Sequence, residues 1–394
     1  MTSAVSNSAC PEKQLLAYCS HTQLEPSLTQ KIGRLLERDL DWDYILNEAE
    51  ENSITALVGR QLNALGPDAL PASAAERLKN ACRANTIRCL FLSAELIKIL
   101  DLFRSHGIPS IPYKGPVLAV QAYGDLTLRE FEDLDVILRQ SDLPKAHEVM
   151  LGLGYRPKFD WILSRDAAAS TVPGEYNYRD VERRVMVELH TELTLRHFPK
   201  PPNLDELSQR LVPVKLNEQE VRTFPPEDGL PILCIHGAKD FWERFSWIAD
   251  ISELVRRYPN LNWDVTTQRA KALNAERMLH VGLSLAVGLL DAPVPAEIRQ
   301  RVEADRVATA VASQTTNRLL SLNFQPLDAP GRLNFRRRML PGIFEGWRYA
   351  LRLSVVPAEE DWQMMRLPGP LAPLYIALRP LRLLRKYGWA SRRA

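Results

Sequence analysis

Over roughly the first hundred positions, apolar residues such as Leu90, Leu92, Leu96, Ile97 and Leu100 recur, several of them three and four apart. The stretch from Leu70 to His106 is nearly free of Gly and Pro. That period predicts a helical N-terminal region over 1–107, stopped by Gly107. From Ile108 the pattern changes. A β-prone segment, Ile108 to Tyr113, leads through Lys114, Gly115 and Pro116 into a short helix reaching about Ala122, and Phe131 to Leu138 predicts the next strand. Ser141 to Leu153 predicts an amphipathic helix capped by Ser141 and closed at Gly152 or Gly154. Glu175 to Arg179 and Arg184 to Leu193 predict two strands joined by a polar turn at Asp180 to Arg183, with Val185, Val187 and Leu189 on one apolar side. Residues 108–200 therefore predict an α+β unit, a small mixed sheet with helices.

Pro199, Lys200, Pro201 and Pro202 predict a linker, after which a helical lobe is expected over 201–330, with its helices from Glu227 to about Asn317. The remaining segment, 331–394, is rich in Pro, Arg and Trp. It shows no clear period until Leu371 to Tyr387, where Pro373 and Pro380 are expected to break any long helix. The best membrane-spanning candidate, Leu279 to Leu290, is shorter than the roughly 20 residues a bilayer requires and predicts a buried helix.

Composition narrows the class. With 394 residues, 45% of them hydrophobic and 25% charged, the chain is long enough for more than one core and lies outside the range of disordered sequences. The polar start, Met1 to Pro11, lacks the apolar run of a signal peptide. The five cysteines are odd in number and show no CxxC spacing, which argues against a disulfide framework or a zinc site and points to the cytoplasm. The net charge of +2 hides an asymmetry: from Gly331 onward there are 13 Lys and Arg against 4 Asp and Glu, and before it 37 against 44. A basic tail attracts phosphates, nucleic acid or anionic lipid, and is as often plain solvated surface.

The chemistry concentrates in YKGPVLAVQAYGDLTLREFEDLDVIL, Tyr113 to Leu138. Asp133 and Asp135 flank Leu134 on an apolar strand, so their carboxylates share one face. Two like charges so close raise one pKa unless a cation compensates them, and Mg²⁺ does so with one or two carboxylates plus substrate phosphates. Lys114-Gly115 sits between strand and helix, where backbone approach and a helix N-terminus favour phosphate. Arg129 can hold a phosphate through its planar fork, or pair on the surface with Glu130 or Glu132. In VMVELH, Val185 to His190, Glu188 offers a third carboxylate, and His190, two residues on, orients it, touches substrate or serves as a core histidine. Three carboxylates converging from two strands suit two-metal phosphoryl transfer.

These segments, with IHGAKDFWERFSWIADISEL (Ile235 to Leu254), resemble the uncharacterised bacterial nucleotidyltransferase family of the polymerase-β-like superfamily. The shared features are a KG segment, a YGD…LR turn, a D-x-D strand, an ELH strand, and HGAK followed by W-x-x-D. The tail segment Pro357 to Leu384 also resembles family members. The resemblance implies a polymerase-β-like nucleotidyltransferase core flanked by helical N- and C-terminal regions. It places Lys114 and Gly115 in the nucleotide-binding turn, Asp133 and Asp135 in the metal pair, and Glu188 at the third carboxylate. Lys239 would contact triphosphate, and Asp250 would support the active-site side of its helix. One departure is Gly115-Pro116 in place of the usual Gly-Ser or Gly-Gly, which removes a backbone donor.

The expected activity is transfer of a nucleoside monophosphate from an NTP, with Mg²⁺ or in its place Mn²⁺, to a hydroxyl or phosphate acceptor: a small molecule, a sugar, a protein or an RNA end. A non-catalytic nucleotide-binding or assembly module is the alternative. An RNA-directed or toxin-like enzyme is a further one, resting on the basic tail and on Trp347, Arg348, Tyr349 and Arg352. Leu371 to Trp389, with basic residues among apolar ones, reads as packing against the helical lobe, with a peripheral membrane contact as the lesser reading.

Overall fold

The computed structural model describes residues 10–23, 25–66, 69–158, 174–180, 182–193, 203–355, 371 and 374–388. The chain begins with five helices, α1 (Pro11–Cys19), α2 (Pro26–Leu36), α3 (Trp42–Glu51), α4 (Thr55–Ala64) and α5 (Ala72–Ser105). After β1 (Ser110–Pro112), α6 (Gly115–Leu118) runs on as one π turn, Ala119–Tyr123, and ends at Gly124. Then come β2 (Asp133–Leu138), α7 (Leu143–Gly152), β3 (Arg156–Pro157), β4 (Glu175–Asp180) and β5 (Val185–His190). These five strands form one mixed sheet in the order β1-β2-β5-β4-β3, with β2 and β5 parallel and the other neighbours antiparallel. The fold is α+β. Ser141 does not cap α7: it lies in a 3-10 turn, Gln140–Asp142, and Asp142 takes the cap position without a side-chain bond. The proline stretch 199–202, most of 1–10 and most of 357–373 lie outside the described residues.

A short helix α8 (Leu204–Ser208) and a hairpin of β6 (Val212–Leu216) and β7 (Gln219–Thr223) precede the helical lobe, where the sequence pattern predicted no strands. The lobe comprises α9 (Pro226–Lys239), α10 (Phe245–Arg257), α11 (Trp263–Ala272), α12 (Glu276–Leu290), α13 (Ala296–Ala304) and α14 (Arg306–Leu319). The basic tail is helical too: α15 (Ala329–Met339), α16 (Ile343–Val355) and α17 (Leu374–Gly388). Pro380 does not break α17. The carbonyl that its missing N–H leaves unpaired belongs to Ile376, a half-exposed position where water can serve it.

Period-two alternation sorts the sheet. Leu134, Val136, Leu138, Val185, Val187 and Leu189 face α5 and α7 and build one core. The opposite face carries Asp133, Asp135, Glu188, His190 and Glu175, in a register that puts Asp135 beside Glu188. A larger core joins α1–α4 to α9–α14, packing Leu15, Ile32 and Leu57 with Ile248, Leu283 and Val311. Helix α5 belongs to both cores: Ala74 and Leu78 sit in the larger one, and Leu92, Ile99 and Phe103 under the sheet. It ends where predicted, with Gly107 at φ +64° and Ile108 N–H bonded to the Phe103 carbonyl at 2.8 Å.

The loop before β2 is tied to both helical halves. Glu130 accepts from the Ala56 N–H at the start of α4 at 2.9 Å, and Arg88 donates to the Phe131 and Glu132 carbonyls. Arg129 makes a two-pronged pair with Asp250 on α10 (2.8 and 3.0 Å), and the Tyr123 hydroxyl donates to the same carboxylate at 2.7 Å. Arg129 and Asp250 are both buried. Removing one member of such a pair strands a buried charge. Asp250→Ala is therefore expected to lower unfolding stability by about 3–5 kcal/mol in urea titrations. The combination Arg129→Met, Asp250→Leu and Tyr123→Phe is expected to recover most of that loss.

Candidate functional site

Three cation–carboxylate contacts define the site. Lys114, at the start of α6, places Nζ 2.6 Å from Asp135 Oδ1, and His190 Nε2 lies 3.0 Å from the same oxygen and 3.5 Å from Glu188 Oε2. Because a carboxylate only accepts, His190 Nε2 carries the proton in that bond. Gly115, which follows the lysine, has φ +50°, and a Cβ there would meet the Asp133 carbonyl oxygen at 3.3 Å. Its backbone conformation and its closeness to β2 both call for glycine. Pro116 stands in the first turn of α6, where an N–H has no helical partner, so one donor is missing.

Burial alone would raise the Asp135 carboxyl; the Lys114 ammonium and the His190 bond override it and hold the group far below the usual carboxylate range. Asp133, half-buried next to Asp135, is pushed up to about 6 by its partial burial and by that neighbouring carboxylate. Burial opposes charge on His190, yet its bonds to Asp135 and Glu188 raise it above an ordinary histidine. Neighbouring carboxylates thus differ sharply, one held charged by Lys114 and His190 and the other pushed toward protonation.

Among the described residues, Asp135, Glu188 and His190 form a metal-sized set, with donor atoms all within 4.8 Å of one another. Asp133 is not a member of that set, although it lines the same cleft. Two carboxylates from paired strands suit a hard divalent cation, and the imidazole, once its Nε2 has given up the proton, would extend the fit to Mn²⁺. Lys114 and His190 already neutralise what a cation would neutralise, and the chemistry of the donors fits.

The cleft above these groups measures about 870 Å³. Lys239, at the end of α9, lines it and pairs with Glu175 at 2.9 Å. Arg129 lines it too, but its guanidinium is engaged by Asp250 and reaches neither Glu130 nor Glu132 in a salt bridge. Asp250 stands behind the site, holding Arg129 and Tyr123 rather than facing the cleft. The sequence reading missed Glu175, whose face follows from pairing with His190 across β4 and β5, and the turn after Lys239. That turn is unusual. Phe241 and Trp242 both adopt left-handed backbone, at φ +62° and +54°, which costs a non-glycine residue about 1–2 kcal/mol. The fully buried Trp242 ring offsets it, packed so closely on Gly237 that a Cβ there would fall 2.4 Å from the ring. The glycine of HGAK makes room for that anchor.

A family profile described as an uncharacterised nucleotidyltransferase matches residues 38–291. The chain belongs to this family. No curated protein matches it. The nucleotidyltransferase match contains every site residue named above, yet the cleft is also walled by Lys13, Phe324 and Arg332, which lie outside it.

The two aspartates carry opposite pH signatures. Asp133 is disfavoured as a carboxylate in the fold, so its cost is full above pH about 6 and vanishes below pH about 4. Asp135 is favoured as a carboxylate, so its contribution is full above its unfolded pKa and lost as the pH falls below it. With chelator present at pH 8, Asp133→Asn is expected to stabilise the protein by about 2 kcal/mol, less than the full shift because the group partly meets solvent. The gain should disappear near pH 4. Asp135→Asn should destabilise at pH 8, and calorimetric melting of both variants checks the pair.

Proposed function

We propose that this nucleotidyltransferase moves a nucleoside monophosphate from an NTP to a hydroxyl or phosphate acceptor and releases pyrophosphate. The observation that carries the reading is the juxtaposition of Asp133, Asp135 and Glu188 on one sheet face with Lys114 at a helix start, under a cleft large enough for a nucleotide. A divalent cation, Mg²⁺ or Mn²⁺, held by Asp135 and Glu188 with Asp133 at the edge, would supply charge neutralisation for the triphosphate and a more acidic acceptor hydroxyl.

The chain's own groups do the rest. Lys114 Nζ is the ammonium nearest the carboxylates and is the one available to a phosphate oxygen once Asp135 has another partner. Lys239 offers a second cation from the opposite wall, balanced by Glu175 until substrate enters. The acceptor oxygen forms a bond to the α-phosphorus. The bond from that phosphorus to the oxygen bridging the α- and β-phosphates breaks, and pyrophosphate leaves with the electron pair. The acceptor proton passes to a Glu188 carboxylate oxygen, and His190 steadies Glu188 for that role. Small molecules, sugars, proteins and RNA ends are the acceptor classes that offer such a hydroxyl or phosphate.

A second reading, a module that binds nucleotide without turning it over, is favoured by the missing donor at Pro116 and by the closed contact of Lys114 and His190 on Asp135. Melting with each NTP and Mg²⁺ is expected to show stabilisation of about 2.7 kcal/mol at 100 times Kd. The Asp133→Asn/Asp135→Asn double variant should lose it. Label from an α-³²P NTP should transfer to acceptor with release of pyrophosphate, falling at least about 100-fold in Asp135→Asn. A shift without transfer to any acceptor class supports the binding module, and no shift with any NTP overturns both readings.

A further inference from the structure

The tail helices α16 and α17 are apolar on two sides. One side is used by the fold: Tyr349 of α16 is buried in the larger core and Tyr375 of α17 in the core under the sheet. The other side faces outward. On α16, Phe344, Trp347 and Leu351 follow the i, i+3, i+7 spacing of a single stripe and are 79%, 62% and 66% exposed. On α17, Leu374 and Leu381, seven residues apart on one side, are 49% and 64% exposed, and Ile376 is half-exposed on another side. Large apolar side chains scattered singly need no explanation, but five of them in two stripes, on two short helices in contact with each other, make an apolar surface that a soluble protein rarely presents.

The charge of the two helices is mainly basic, six Arg and Lys in sequence against one acidic residue, Glu345, although Arg379 is buried. Arg348 stands exposed next to Trp347, and Arg385 lies exposed one turn beyond Leu381. No helix among the described residues is long and apolar enough to cross a membrane. An outward apolar stripe containing Trp and Phe and edged by arginines matches the interface of an anionic bilayer: the apolar side chains enter the acyl boundary and the guanidinium groups meet lipid phosphates. A protein partner suited to the same patch would need an acidic rim, and a second copy of this chain would bring like charge against like charge.

We propose that the α16–α17 face docks on an anionic phospholipid surface. This inference does not rest on the proposed reaction. The test is flotation of the full chain with vesicles of phosphatidylcholine alone and of phosphatidylcholine with about 30 mol% phosphatidylglycerol. Flotation with the anionic vesicles is expected, weakening as salt rises from about 0.1 to 0.5 M, with at least about tenfold less on the neutral ones. Phe344→Ser/Trp347→Ser/Leu351→Ser should cut anionic-vesicle binding at least about tenfold, and Arg348→Glu/Arg385→Glu should weaken it too. Both variants alter exposed positions, and an unchanged melting temperature verifies that they fold. Absence of flotation, or equal flotation of the triple variant, overturns the proposal. So does a dimer seen in sedimentation that the triple variant abolishes without any vesicle binding, or binding to RNA but not to vesicles.

Discussion

A buried carboxylate at Asp135 must be compensated, and much of the structure around it supplies that compensation. Asp135 is almost fully enclosed, lies beside Glu188 in the parallel register and shares its strand with Asp133. Left alone, such a cluster would take up protons or push the strands apart. Instead Lys114 and His190 converge on one of its oxygens. Each reaches it because of a local backbone decision: the left-handed Gly115 turn brings α6 against β2, and the parallel pairing of β2 with β5 brings His190 and Glu188 alongside. The arrangement that compensates Asp135 also gathers the donor atoms of the candidate cation site.

That arrangement is held by elements far apart in sequence. Arg129 and Asp250, 121 residues apart, fix the loop before β2 to the helical lobe, and Glu130 fixes it to the start of α4. The lobe in turn brings Lys239 over the sheet, through a turn whose strained backbone is offset by the buried Trp242. Helix α5 runs under both cores, so the sheet and the helical body keep a fixed relation. Cleft walls also come from outside the family match, at Lys13, Phe324 and Arg332.

What could be read from the sequence was mainly local. The period change at Ile108, the D-x-D strand, the apolar side of β5 and the stop at Gly107 follow from rules acting over a few residues, and the structure has these elements within two residues of the expected bounds except that β5 ends three residues early, at His190. The α+β class and the nucleotidyltransferase family follow from the same segments. Long-range partnerships were not legible. Arg129 looked equally suited to phosphate and to its acidic neighbours, because nothing near it in sequence announces Asp250. Glu175 acquires its place only when β4 pairs with β5, and the β6–β7 hairpin lies in a polar stretch with weak alternation. Helices α15 and α16 were hidden by frequent arginines, and α17 by a proline at a position where an exposed helix tolerates it.

The central claim is that Lys114 and a divalent cation compete for the same carboxylate. Titration with Mn²⁺, followed by electron paramagnetic resonance without nucleotide, addresses it directly. The account predicts that the unaltered chain binds Mn²⁺, that Asp135→Asn weakens binding by about 10- to 100-fold, and that Lys114→Met tightens it by removing the competing ammonium. Equal Mn²⁺ affinity in the unaltered chain and in Asp135→Asn, or weaker binding in a folded Lys114→Met, would contradict the account.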